Sequence, residues 1–285
     1  MRASNEHGSA GPVRAPKDLT RTTERVHNKA CSAESSRVRN GSDGRAGPVR
    51  ALVLSGGGLF GAWQAGAWAA LAPGFQPDLI VGASVGSLNG YAIACGATPQ
   101  MLRELWLRED VASLHRLEAS VRVLAGGHRP QVDFAVVATD LLRLKPRIFR
   151  GSEVTWRHLA ASCAVPLVLP QVRIDGRYYS DGGLLNPLPV YAAVELGATE
   201  ILALQALPEI PSAVLKPFVL GFRAVFGFHP PLPAGVRVRV LEPGRRLGSL
   251  RDALRWKREN VERWLDQGYE DAEPLNAVTQ KTFPL

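Results

Sequence analysis

Two apolar runs that each break into glycines constrain this chain more than any other feature. The first is Ala51-Leu-Val-Leu-Ser-Gly-Gly-Gly-Leu-Phe-Gly61 and the second is Leu79-Ile-Val-Gly-Ala-Ser-Val-Gly-Ser87. A short Leu/Ile/Val run bounded by turn residues reads as a buried strand, and a helix-length segment follows each glycine turn. The second turn spells Gly82-Ala83-Ser84-Val85-Gly86, a G-x-S-x-G. In that pattern the serine sits on a sharp strand-to-helix turn with its hydroxyl exposed. Ser84 would stand at a helix N-terminus, where unpaired N–H groups favour negative charge. The first turn, Gly56-Gly57-Gly58, offers backbone N–H groups to a developing oxyanion.

Gly56–Gly61 also contains G-x-G-x-x-G, a phosphate-binding pattern. A dinucleotide fold places an acid about 20 residues on, at the end of the second strand. Gly82-Ala83-Ser84 occupies that place, and Asp78 precedes the strand. The spacing therefore disfavours a nucleotide-binding reading.

Strand and helix signals alternate along the rest of the chain. Strands are expected at 50–54, 79–81, 132–139, 147–149, 200–207 and 236–241. Helices are expected at 59–71, 85–95, 98–109, 154–163 and 190–196, with a long amphipathic one at 250–268. Asp175-Gly176 marks a hairpin within 172–179. Residues 110–130 have room for a further helix ending at Gly126-Gly127. The alternation predicts an α/β fold, a three-layer α/β/α sandwich around a mostly parallel sheet.

Residues 1–48 are rich in Arg, Ser and Gly without hydrophobic period and are expected to be a disordered basic tail. The domain is expected over 49–275, with a C-terminal tail at 276–285. Half of the net charge of +8 belongs to residues 1–49, which hold nine Lys/Arg against five Asp/Glu. Such an excess favours anionic surfaces such as phospholipid headgroups. No basic stripe interleaved with aromatics points to nucleic acid. Cys31, Cys95 and Cys163 are spaced for neither a disulfide framework nor a zinc site. No run is long enough for a membrane span and no apolar leader is seen. The expected location is cytoplasmic, with peripheral membrane contact left open, and no cofactor or metal is called for.

A serine hydroxyl needs a base. Among the histidines, His158 lies inside a predicted helix and reads as structural. His229 follows both serine and acid, the chain order of an α/β-hydrolase triad. The other candidate is Asp181, followed by Gly182-Gly183, which permit close backbone approach. A carboxylate in a dry site can take the serine proton directly if burial raises its pKa. The residues alone leave both bases open, and Asp181-Gly182 also suits an ordinary β-turn.

The chain resembles the patatin-like phospholipases, the serine acyl hydrolases related to plant patatin and cytosolic phospholipase A2. The resemblance rests on Gly56–Gly61, the serine elbow Gly82–Gly86, the block Ala161-Ser162-Cys163-Ala164-Val165-Pro166, and Asp181-Gly182-Gly183 with Asn186-Pro187, in family order. It extends over about residues 50–275, Gly268–Ala272 resembling the closing helix. It implies a Ser84–Asp181 dyad without histidine, an oxyanion hole from Gly57 and Gly58, and metal-free hydrolysis of phospholipid or other acyl esters. The rival readings are a catalytically weak lipid-binding protein on the same fold and a Ser–His–Asp esterase using His229. One position departs from the family: Phe60 stands where an Arg or Lys is usual. Losing a charge beside an oxyanion costs about 3 kcal/mol, roughly a hundredfold in rate, so reduced activity is expected. The aromatic stretch Pro217–Pro233 is expected to line an acyl pocket, to enter a membrane surface, or to be a core-facing helix.

Overall fold

The computed structural model describes residues 47–109, 117–127, 129–208 and 215–282. Residues 1–46 of the expected tail lie outside the described residues. The chain opens with β1 (Arg50–Leu54), a 3-10 turn (Gly58–Phe60) and α1 (Gly61–Leu71). Next come β2 (Leu79–Ala83), α2 (Val85–Ala94), α3 (Pro99–Trp106) and α4 (Leu117–Gly126). The middle holds β3 (Asp133–Asp140), β4 (Lys145–Arg150), α5 (Trp156–Ser162), β5 (Val172–Ile174) and β6 (Arg177–Ser180). The chain ends with α6 (Val190–Glu195), β7 (Glu200–Leu204), α7 (Leu215–Phe226), β8 (Arg237–Leu241), α8 (Leu250–Leu254) and α9 (Arg258–Thr282).

β3, β2, β1, β7 and β8 lie side by side, all parallel. β4 and the β5–β6 hairpin attach antiparallel at β3. Leu54 of β1 pairs with Gly82 of β2 and Leu204 of β7, so three strands end at one edge. The turns after β1 and β2 open there, beyond the strand carboxyl ends where such sheets hold ligands.

Side chains alternate across a strand, and the two faces bury different material. Leu52, Leu54, Ile80, Phe134 and Leu204 join one core with α1, α2 and α9. Ala51, Val53, Leu79, Val81, Ala135 and Ala203 face the other, with Tyr191, Ala192 and Ala193 of α6. Helices thus cover both faces, and the large side chains are on the first.

α1 and α9 pack backbone to backbone. A Cβ on Gly66 would come 1.9 Å from Leu265 O, and one on Gly268 would come 2.1 Å from Trp63 O. Trp63 and Trp264 are fully buried beside this contact. Each is polar-satisfied: Trp63 Nε1 donates to Asp271 Oδ2 and Trp264 Nε1 to Leu247 O, both at 2.8 Å.

Local signals hold at most boundaries. Thr98 Oγ1 accepts from Met101 N to start α3, with Pro99 at its first position. Asp175 (φ 46°) and Gly176 (φ 80°) both take the left-handed conformation that a two-residue hairpin turn requires. The helix expected over 250–268 is instead two. Ser249 caps α8, Arg255 turns extended, and α9 restarts at Arg258 and runs past 275. Among the described residues no helix is long and apolar enough to cross a membrane.

Candidate active site

β3 has two edges, and their division brings the serine and the acid together. At Val137 the partners are Ile148 of β4 and Ala83 of β2. At Thr139 they are Pro146 of β4 and Ser180 of β6. β6 therefore takes the lane that β2 vacates. β2 runs into its turn at Ser84, and β6 arrives from the opposite direction with Asp181 next in the chain.

Ser84 adopts φ 52°, ψ −132°, a strained backbone for a residue with a side chain. Both flanking glycines are required by close approach. A Cβ on Gly82 would lie 2.4 Å from Ser87 Cα, and one on Gly86 would lie 2.4 Å from Leu54 O. The strain is held by hydrogen bonds. Ser84 N donates to Ser162 Oγ at 2.9 Å, and Ser162 Oγ donates to Val137 O at 2.6 Å. Ser87 Oγ donates to Ser84 O at 2.6 Å.

Asp181 is 7 % exposed. Its backbone is fixed by Thr139 Oγ1, which donates to Asp181 O at 2.8 Å, and by its own N–H, which donates to Ala164 O at 3.0 Å. Oδ1 accepts from Gly183 N at 2.8 Å; Oδ2 is buried without a hydrogen-bond partner. Burial pushes the carboxyl up to about 6, opposed by the Ser84 hydroxyl, the Gly183 N–H and the charge of Arg223. The serine is thus near enough to act on the carboxyl, while no aligned hydrogen bond closes on Oδ2. Such contacts often tighten only when substrate is bound.

The glycine loop meets both motifs. A Cβ on Gly56 would lie 3.3 Å from Ser84 Cβ and 3.9 Å from Gly183 Cα. Gly56 N donates to Pro187 O at 3.0 Å, tying the loop to the segment after Asp181. The N–H groups of Gly57 and Gly58 make no hydrogen bond among the described residues. Gly58 sits at φ 59°, and a Cβ there would strike Ala253 O at 2.5 Å. Gly61 opens α1, where a side chain would meet Val85. Gly182 and Gly183 form the turn after Asp181. All sequence-predicted site residues therefore gather at one end of the sheet.

Other side chains received no role from the sequence. Ser162 supports the elbow and lies in the Ala161–Pro166 block. Behind the glycine loop runs a buried polar chain. Gln64 Nε2 donates to Ser55 O at 2.9 Å, and Asn89 Nδ2 donates to Gly61 O at 2.8 Å and to Gln64 Oε1 at 3.1 Å. Trp106 Nε1 donates to Asn89 Oδ1 at 2.9 Å. The signal for it is Gln64 itself, a lone polar residue in the otherwise apolar α1.

Phe60 is 1 % exposed and packs edge-on against Trp264, with ring centroids 5.0 Å apart. It faces the α9 interface, so a cation introduced there would be buried among apolar side chains. His229 is exposed, its Nδ1 3.3 Å from Asn186 Nδ2; no hydrogen bond joins it to Ser84 or Asp181 among the described residues. His158 Nδ1 accepts from Thr155 N at 3.0 Å as part of the α5 cap, and burial lowers its pKa. Cys163 is buried beside Ser84, Ser87 and Asp181, and burial pushes its thiol far above the usual range. In the aromatic stretch, Leu220, Val225, Phe226 and Leu232 are exposed, while Phe228, partly exposed, packs edge-on against Tyr191 of α6 with ring centroids 4.9 Å apart.

A sheet with helices on both faces, with a strained serine after β2 and a buried acid after β6 at its carboxyl end, defines an α/β sandwich protein. The family model described as patatin-like phospholipase matches residues 52–151 and 113–194, and the chain belongs to that family. An uncharacterised NTE family protein of Mycobacterium bovis is 31 % identical over 166 residues, covering 52 % of this chain and 46 % of the relative. A lysophospholipase of Aspergillus oryzae is 29 % identical over 175 residues, covering 53 % of this chain and 11 % of the relative. The chain thus spans less than half the length of these curated relatives. Among solved structures, VipD from Legionella pneumophila superposes with a TM-score of 0.50 at 12 % identity, covering 82 % of this chain and 67 % of that one. That likeness concerns the fold.

Proposed function

We propose that the protein hydrolyses fatty-acyl esters of lipids through Ser84 and Asp181. The observation that carries this reading is the meeting of a strained serine with a buried carboxylate whose Oδ2 has no other partner. Ser84 Oγ attacks the ester carbonyl as its proton passes to Asp181. The N–H groups of Gly57 and Gly58 stabilise the oxyanion. The protonated acid then gives its proton to the leaving alcohol. Water repeats the sequence on the acyl-enzyme and frees the fatty acid. A carboxyl titrating at about 6 is ionised at neutral pH and weakly basic enough to return the proton.

Hydrolysis of a short p-nitrophenyl ester by wild type, Ser84→Ala, Asp181→Asn and His229→Ala tests the scheme. Loss in the first two variants with retention in the third is expected. Full activity in Asp181→Asn would remove the dyad. Loss in a folded His229→Ala would restore a histidine triad. The exposed side chains of Leu220, Val225, Phe226 and Leu232 support contact with a lipid surface. Unchanged vesicle binding by a folded Phe226→Ser, Phe228→Ser variant would argue against it.

A further inference from the structure

One cation of α7 is held against the turn that follows the acid. Arg223 is the lone Lys or Arg between Phe218 and His229. Its neighbours Ala224, Val225 and Phe226 are exposed, while its own guanidinium is turned inward and half-buried. Nη2 donates to Gly183 O at 3.0 Å and Nε donates to Leu184 O at 3.3 Å. Gly183 in turn donates its N–H to Asp181 Oδ1 at 2.8 Å. The guanidinium, the Gly183 peptides and the carboxylate thus form one chain. A planar fork of donors suits two successive carbonyls, which a point-like ammonium does not.

We infer that Arg223 is a positioning residue for the acid, clamping the Gly183–Leu184 turn that aims Asp181 at Ser84 while holding a positive charge beside it. The inference rests on the Ser84–Asp181 reading and adds a second task to α7. Clamping sets the geometry of proton transfer. The charge opposes the desolvation of the carboxylate and keeps it ionised at lower pH. The groups facing the carboxyl are the Ser84 hydroxyl from the start of α2, the Cys163 thiol from the end of α5, the Gly183 N–H and Arg223. The thiol stays protonated because burial raises it, and guanidinium does not lose its proton in the working range. Asp181 is then the group that titrates on the acid side.

The test is the pH–rate profile of p-nitrophenyl ester hydrolysis from pH 5 to 9 for wild type, Arg223→Gln, Arg223→Lys and Asp181→Asn. Phosphonylation of Ser84 by a fluorophosphonate probe is followed alongside. For Arg223→Gln the acid limb should move up by about one pH unit, the effect of one nearby opposite charge. Its rate should fall about tenfold or more at pH 6 and recover part of that loss by pH 8.5. Arg223→Lys keeps the charge but not the fork, so its limb should stay near wild type while kcat falls severalfold. A uniform fall in Arg223→Gln with an unmoved limb would leave only a structural role and overturn the inference. If the glutamine variant does not fold, the lysine variant decides: unchanged kcat, or a limb displaced by a full unit, overturns it. Failure of the underlying dyad is seen elsewhere, as full activity in Asp181→Asn.

Discussion

Two of the buried carboxylates, Glu200 and Asp181, lie at opposite ends of the same sheet, and they are treated differently. Glu200 opens β7 at the amino ends of the strands and is 2 % exposed. It is met by Arg237 and by Arg50, the latter at 3.4 Å, so its charge is neutralised by full opposite charges. Asp181 lies at the carboxyl ends and is 7 % exposed. No ion pair is made to it among the described residues; Arg223 spends its donors on the carbonyls of Gly183 and Leu184 instead. Each acid has one buried oxygen without a hydrogen bond among the described residues, Glu200 Oε2 and Asp181 Oδ2. The difference is charge: Glu200 lies between two guanidinium groups, whereas Asp181 has no ion pair among the described residues and burial raises its pKa. In the proposed reading that leaves Asp181 able to take a proton.

The largest test of this contrast is Asp181→Asn. Activity should fall at least about a thousandfold, as expected for loss of a general base acting with its nucleophile. Stability should move the other way. The folded carboxyl titrates at about 6, above its ordinary value of 3.8, so folding binds the proton more tightly. The contribution of Asp181 to wild-type stability therefore falls as pH rises from about 4 to about 6 and stays low above that. The Asn variant avoids this cost. At pH 7.5 it should be more stable by up to about 3 kcal/mol, with the gap closing below about pH 4, measured by urea unfolding. A lower Tm than wild type at pH 7.5 would break the contrast.

Phe60→Arg extends it to a cation without a partner. Buried against Trp264, it should destabilise the fold by several kcal/mol and raise no activity, read by thermal unfolding and ester turnover. Glu200→Gln should cost about 1–3 kcal/mol, discounted because Arg237 is largely exposed, and leave kcat within about threefold. Ser162→Ala removes the support of the elbow. It should cost about 1–2 kcal/mol and slow turnover about tenfold, with KM little changed. An Asp181→Asn protein that loses stability while Glu200→Gln loses activity would reverse the roles of the two acids.

The sequence by itself determined the local conformations. Glycine spacing marks the elbow at Ser84 and the loop at 56–58, because those turns need residues without a Cβ. Asp175-Gly176 marks the hairpin and Thr98-Pro99 the start of α3 through their own backbone preferences. The alternation of apolar strands with helices set the sandwich, and the order of four motifs set the family. It did not show the break at Arg255, because 250–268 keeps a helical pattern across it and only the Ser249 cap and the turn at Arg255 reveal two helices. Nor did it show which way Phe60 points, since an aromatic in a glycine loop can face either site or core; packing against Trp264 decides. The meeting of Ser84 and Asp181 depends on β2 and β6 sharing one edge of β3, a pairing between distant segments that no local pattern carries. Ser162, Asn89 and Arg223 gain their hydrogen-bond partners the same way. A single Ser, Asn or Arg is chemically unremarkable until the tertiary structure buries it and leaves it one set of partners to satisfy.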